Sequence, residues 1–107
     1  MKIAIIGSTQ YLDMMKEHQS DMVHVGHEAW LPFLDHHCET ALDIMEANLK
    51  LIRWADEVHL FWDCRSPGAW GDFCMAFALG KVVRAMFLEG KSMRNVVEAY
   101  SSKVRGE

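Results

Sequence analysis

Proline and cysteine are both scarce in this chain, with two and three residues among 107. Cys38, Cys64 and Cys74 are odd in number and form no CxxC pair. That pattern fits reduced thiols in a cytoplasmic protein better than a disulfide frame. No apolar run approaches the ~18 residues of a membrane span, so no membrane partner is expected. The opening MKIAIIG is too short for a signal peptide, has no small-residue cleavage site, and reads as a strand. Positive charge is not in excess: 11 lysines and arginines face 15 aspartates and glutamates, for a net charge of −4. A nucleic acid polymer needs a basic stripe and is excluded as a partner. A small anion stays open, because backbone amides hold phosphate without net positive charge. Repeats, low-complexity stretches and linkers are absent. Half of the residues are hydrophobic, enough for one core, so residues 1–107 are expected to form a single domain.

Short β-rich runs alternate with helical patterns, which predicts βαβ units and a parallel sheet. KIAIIG (2–7) is an apolar run ending in glycine, as a strand buried on both faces would be. Residues 11–20 read as a short helix, DMVHVG (21–26) as a weaker second strand, and HEAWLPFL (27–34) as an apolar loop. From 35 to 55, Cys38, Leu42, Met45, Leu49 and Ile52 recur at the period of one helix face. EVHLFWD (57–63) is the third strand. SPGAWGDFCMAFALG (66–80) is a turn and a helix closed by Gly80, and KVVRAMFLE (81–89) is the fourth strand. Ser92 caps a last helix with Val96, Tyr100 and Val104 on its inner face. Right-handed crossovers then give an α/β three-layer sandwich, flavodoxin-like or Rossmann-like, with a four-stranded parallel sheet in the order 2-1-3-4.

That order puts a topological switch between strands 1 and 3, and ligands bind outside the strand carboxyl ends at such a switch. Two segments should therefore meet there: Gly7, Ser8, Thr9 and Gln10 after strand 1, and DCRSPGAWGD (63–72) after strand 3. The second segment ends in an acid, Asp72, at the mouth of an otherwise apolar helix with no nearby lysine or arginine.

The run ADEVHLFWDCRSPGAWGDFCMAFALGK (55–81) resembles the core of the nucleoside 2-deoxyribosyltransferases and the related 2'-deoxynucleoside 5'-phosphate N-hydrolases. In that family an Ala-Asp opens the third strand. A Ser or Asp then stands six residues before an acid, and the acid's helix ends in Ala-Leu-Gly-Lys. Here Ala55-Asp56, Ser66, Asp72 and Ala78-Leu79-Gly80-Lys81 hold those places. IIGST (5–9) is similar to the family loop that holds the sugar and, in the hydrolases, the phosphate. The resemblance implies cleavage or transfer of a nucleoside or nucleotide N-glycosidic bond, with Asp72 as nucleophile, and an assembly of several copies. The family acid is normally Glu, and the family's second carboxylate falls on Asn48 here.

N-glycosidic cleavage passes through an oxocarbenium-like sugar, which a carboxylate attacks or stabilises. The candidate catalytic residues are thus Asp72 and Asn48, although an amide can hydrogen-bond a hydroxyl but not act as a base. Candidate substrate-binding residues are Gly7, Ser8, Thr9, Gln10, Asp63, Ser66 and Gly68. Each has a plainer reading. Asp72 could complement a helix dipole; Ser66 before Pro67 is an ordinary N-cap; Asp63 could simply begin the loop; Tyr11 could only pack; Asn48 could be a half-buried helix residue. His18, His24, His27, His36 and His37 with Cys38 supply ligand types but no HExxH or paired CxxC, so no metal and no cofactor are expected. His27 would border the crevice if it ended strand 2. Trp30, Phe33, Trp54, Trp62 and Trp70 with eight methionines exceed what a small core hides, which predicts a homodimer or higher homo-oligomer using loop 30–33 or the Trp70 helix. The alternative to an enzyme is a non-catalytic nucleotide-binding or sensing module of the same fold.

Overall fold

The computed structural model describes residues 1–32, 40–90 and 93–106. Strand β1 (Lys2–Gly7) leads through a 3₁₀ turn (Thr9–Tyr11) into helix α1 (Leu12–His24) and strand β2 (Glu28–Trp30). Helix α2 (Ala41–Trp54), strand β3 (Glu57–Trp62), helix α3 (Pro67–Ala78), strand β4 (Val82–Leu88) and helix α4 (Arg94–Arg105) follow. All four strands pair in parallel, in the order β2-β1-β3-β4. The expected α/β sandwich and its switch point between β1 and β3 are thus observed. No described helix is long and apolar enough to cross a membrane.

Strand periodicity sorts the core into two layers. Ala4, Ile6, Val58, Leu60, Trp62 and Val83 face helices α2, α3 and α4, meeting Leu51, Ile52, Phe73, Ala76 and Val97. Ile3, Ile5 and Phe61 face the other way and meet Met15 of α1 with Ala29 and Leu31. The central strand β3 is buried at all six positions. Trp62, Trp70 and Phe73 stack in series, with ring centroids 5.6 and 5.4 Å apart. Much of the aromatic content is thereby absorbed within the chain, while Trp30 stays 45% exposed.

Four expectations from sequence need correction. Residues 21–26 do not form a strand. Met22 extends the apolar face of α1 onto the core, and the helix ends in a Schellman motif, with Gly26 N–H donating to Val23 O and His27 N–H to Met22 O. Strand β2 lies instead in the stretch read as a loop, where Ala29 is buried between exposed Glu28 and Trp30. Helix α2 starts at Ala41, not 35. Thr40 is extended and closes a capping box with Asp43 through two 3.1 Å bonds; Cys38 and the rest of 33–39 lie outside the described residues. The buried face of α2 is Ala47, Asn48, Leu51 and Ile52, while Leu42 and Met45 are exposed. The buried residues of α4 are Val97 and Ser101, with Tyr100 half-buried and Val96 exposed. Ser101 is small enough to sit at a helix–sheet contact, so the stripe is turned by one residue. The predicted cap Ser92 lies outside the described residues. Gly80 does close α3, by a second Schellman pair from Gly80 N–H to Phe77 O and Lys81 N–H to Ala76 O.

Candidate functional site

The loop after β3 is built to present α3. Asp63 Oδ1 accepts from the N–H groups of Arg65 (2.9 Å) and Ser66 (3.3 Å), which folds the chain back. Cys64 takes the left-handed conformation (φ 63°) inside that turn. Ser66 then caps α3, its Oγ accepting from Ala69 N–H, and Pro67 occupies N1. Trp62 Nε1 donates to Ser66 O at 3.0 Å and pins the turn to the strand end. Asp63 is therefore the loop initiator and Ser66 the cap that the plainer readings describe.

Asp72 is the sixth residue of α3 and lies in its second turn, not its first. A helix dipole acts within the first turn, so the dipole reading of this acid is corrected. Asp72 is only 7% exposed. Its described partner is Asn48, whose Nδ2 donates to Asp72 Oδ1 at 2.8 Å. Burial pushes the acid up to about 6, against the opposing pull of the Asn48 hydrogen bond. Asn48 is also buried, and its Oδ1 finds no hydrogen-bond partner among the described residues, at a cost of roughly 1–3 kcal/mol. The two residues that the sequence offered as a catalytic pair, 24 positions apart, thus touch.

Together they line a cleft of about 280 Å³ between α2 and α3, whose other walls include Ile44, Met45, Pro67, Gly68 and Met75. Most of this wall is apolar, so the Asp72–Asn48 pair forms its polar centre. Gly68 is the one proposed substrate-binding residue that shares this cleft.

A second, smaller cleft of about 150 Å³ lies at the strand carboxyl ends, lined by Gln10, Tyr11, Asp63, Arg65, Glu89 and Gly90. Here the two segments flanking the switch do meet. Gly7 is required at the crossing: a Cβ there would sit 2.1 Å from Phe61 O. Ser8 N–H donates to that same carbonyl at 3.0 Å, and Ser8 Oγ accepts from Gln10 N–H. The Tyr11 ring packs tilted against Phe87, centroids 4.6 Å apart, and its hydroxyl accepts from Gln10 Nε2. Gly7, Ser8, Thr9 and Ser66 line neither of these clefts.

Sequence reasoning missed the walls: Ile44, Met45 and Met75 of one cleft, Arg65 and Glu89 of the other. It also missed a polar chain under α1. His18 Nε2 lies 2.6 Å from His59 Nδ1, His59 Nε2 lies 2.9 Å from Glu57 Oε1, and Arg84 pairs with the same Glu57 oxygen. The alternation of EVHLFW, with Glu57 and His59 two apart, was its available signal. His27 stands before β2, with Nδ1 2.9 Å from the Met1 nitrogen, at the opposite end of the sheet from the strand carboxyl ends. Its expected place beside the crevice is therefore wrong. Among the described residues no group of three or more His, Cys, Asp or Glu side chains is arranged to hold a metal; His36, His37 and Cys38 lie outside them. Cys64 and Cys74 are free. Comparison with family models, curated proteins and solved structures gives no match.

Proposed function

We propose that this chain binds a nucleoside or nucleotide and cleaves or transfers its N-glycosidic bond, with Asp72 as the nucleophile. One observation carries the reading: a buried carboxyl group, held by an amide and otherwise unpaired among described groups, sits at the polar centre of an apolar cleft. Burial without a compensating cation is how proteins raise the energy of a carboxylate they use. Near neutral pH an ionised fraction of Asp72 is available to attack. The bond from the anomeric carbon to the base nitrogen breaks, an ester to Asp72 forms, and the base leaves with the electron pair and takes a proton from water. Water or a second base then opens the ester. Asn48 orients the attacking oxygen through its 2.8 Å bond. The resemblance of residues 55–81 to the nucleoside deoxyribosyltransferase family supports the same chemistry. The Asp72 side chain, one methylene shorter than Glu, draws the nucleophile back into α3.

The test is base release, followed by chromatography, from a panel of deoxynucleosides and their monophosphates. Asp72→Asn should lower turnover by orders of magnitude while ligand binding persists. Asp72→Glu should raise it, and a further Asn48→Asp should add to it. No base release from the wild type, from Asp72→Glu or from the double variant would reject the glycosidase.

A non-catalytic nucleotide-binding module is the second reading. It is favoured by Asn48 itself, which gives the site one carboxyl group where the chemistry uses two. Ligand-induced stabilisation without base release would select it. The exposed apolar residues Leu42, Ile44 and Met45 on α2 and Phe77 on α3 support self-association, which light scattering at tens of micromolar protein measures directly. The free Cys64 and Cys74 fit a cytoplasmic setting.

A further inference from the structure

Strand β4 is the outer strand of the described sheet, and no described strand pairs with its far edge. Its seven residues, VVRAMFL, are mostly apolar and include no proline. Such an edge offers its backbone N–H and C=O groups to another extended chain. One of them is already used from α4: Val83 O accepts from Arg105 Nη1 at 3.4 Å. Between β4 and α4 lies a cleft of about 450 Å³, larger than either cleft described above. Ala85 and Leu88 form its strand wall, and Arg94, Glu98, Ser101 and Arg105 stand along its helix wall. Ala85 and Ser101 are small and leave the middle of the cleft open. A helix face made to cover an apolar strand would itself be apolar; this one carries a guanidinium at each end. Arg94 is held by Glu98 through Nε at 2.8 Å, which leaves its two terminal amino groups without a described partner. Two positive charges and one negative charge thus face this cleft in a chain of net charge −4.

We propose that the β4/α4 groove receives an extended acidic segment of another protein. The segment adds to β4 as a further strand, with carboxylates on Arg94 and Arg105 and a neutral side chain opposite Glu98. Arg94 and Arg105 are the first and last residues of α4, roughly 16 Å apart along its axis. Arg94 leans inward toward Glu98, so two acids four residues apart on one face of a strand, a span of about 13 Å, match the pair. Charge selects this occupant over a second copy of the chain. Pairing β4 with itself about a two-fold axis would bring the arginines of both copies to one seam. The bulge of β4 opposite Leu60 and Phe61 also twists the edge away from flat self-pairing. The site is independent of the α2/α3 cleft and of its chemistry.

The probe is a blocked eight-residue peptide of threonine and valine with glutamate at its second and sixth positions. It is titrated into the full chain at low salt and followed by fluorescence anisotropy and backbone-amide NMR. The peptide should bind and shift the amides of Ala85 and Leu88. Replacing both glutamates by glutamine should weaken binding about tenfold, the worth of two exposed ion pairs, and Arg94→Gln should weaken it in the same direction. Arg94 is half exposed, so this variant keeps the fold, and the peptide series needs no variant at all. A strand turns every second N–H toward its neighbour, so N-methylation at one set of alternate peptide residues should abolish binding and at the other set should leave it intact. No binding, equal binding of the glutamine peptide, or indifference to both methylation patterns would overturn the proposal. So would glutarate competing as well as the peptide, which would mark a small-anion site. Shifts at Ala85 and Leu88 that follow protein concentration without peptide would assign the edge to a second copy and overturn it too.

Discussion

Replacing Asp72 by asparagine should make the protein more stable, although it removes a group that the candidate site needs. The carboxyl group rises from an ordinary 3.8 to about 6 in the fold. At 7% exposure little solvent screening reduces that effect. The rise corresponds to roughly 3 kcal/mol of destabilisation when the group is ionised. Because the folded value is the higher one, the penalty is complete above pH ~7, where both states are ionised. It shrinks as pH falls through 6, since the folded protein then binds a proton that the unfolded chain does not. Below 3.8 it is gone. Asparagine has nearly the same shape and carries no charge, and the Asn48 amide can still pair with it. Urea or thermal melts of Asp72→Asn against the wild type at pH 8 should show a gain approaching roughly 3 kcal/mol, or roughly 10 °C in Tm for a chain of this size. At pH 4 the two proteins should differ little. A variant no more stable than the wild type at pH 8, or a gain that does not change with pH, would refute the argument that burial strains this acid.

Three further outcomes follow from other parts of the fold. His18 and His59 are both held below 6.5, chiefly by burial, so their contribution is full above pH 6.5 and is lost as pH falls through the folded values; His18→Gln keeps a donor toward His59 and should flatten the acid limb of the urea stability curve, and a wild type equally stable on both sides of this window would contradict it. Gly7→Ala would put a methyl group 2.1 Å from Phe61 O and should cost more than ~2 kcal/mol by chemical denaturation, so a near-neutral variant would show that the β1–β3 crossing is wrongly described. Thr40→Ala opens the capping box of α2 and should cost about 1 kcal/mol in the same assay, with no change in the affinity of a ligand for the α2/α3 cleft.

The sheet was legible because its strands carry a strong local signal. Lys2–Gly7 and Glu57–Trp62 are apolar or alternating runs bounded by glycine, aspartate and a Ser-Pro-Gly turn, and the observed strands match them. Strand β2 was not, since three residues with one buried alanine hold too little periodicity to compete with the valines of 21–26. Those valines are exposed at the helix end: Val23 by 55% and Val25 by 63%. Helix faces were misread wherever a polar residue occupies the inner stripe. Asn48 and Ser101 each turn their helix by about one residue from the apolar arc, and each is buried for a reason found only in three dimensions. The contact between Asn48 and Asp72 depends on how α2 packs against α3, so no spacing in the chain encodes it. The residues of the Ser66–Asp72 segment could be read as a cap, a turn and an acid, and all three are there. The separation of Asp63 and Arg65 in one cleft from Pro67, Gly68 and Asp72 in the other could not, because it depends on the direction in which α3 leaves the loop.

The unequal clothing of the sheet accounts for its one polar stripe. Three helices cover the face of Val58, Leu60 and Trp62, and that face is apolar throughout. On the other face α1 is the only described helix, and it packs on Ile3, Ile5 and Ala29 of the first two strands. The start of β3 on that side carries Glu57 and His59, paired in register with Val82 and Arg84 of β4. Such groups tolerate burial only when each finds a partner. His18 supplies the last one from the middle of α1, and Arg84 reaches Glu57 from the partly open side. The chain of contacts is directional: with Glu57 accepting from His59 Nε2–H, His59 Nδ1 is left as an acceptor, and His18 must present its Nε2–H. A one-turn slip of α1 would leave His59 Nδ1 unpaired beneath it, a loss of roughly 1–3 kcal/mol. The apolar contacts of Met15 and Met22 would resist such a slip less sharply, because methionine repacks easily. Polar pairing thus fixes the register of α1, and with it the position of Gln10 and Tyr11 at the rim of the strand-end cleft.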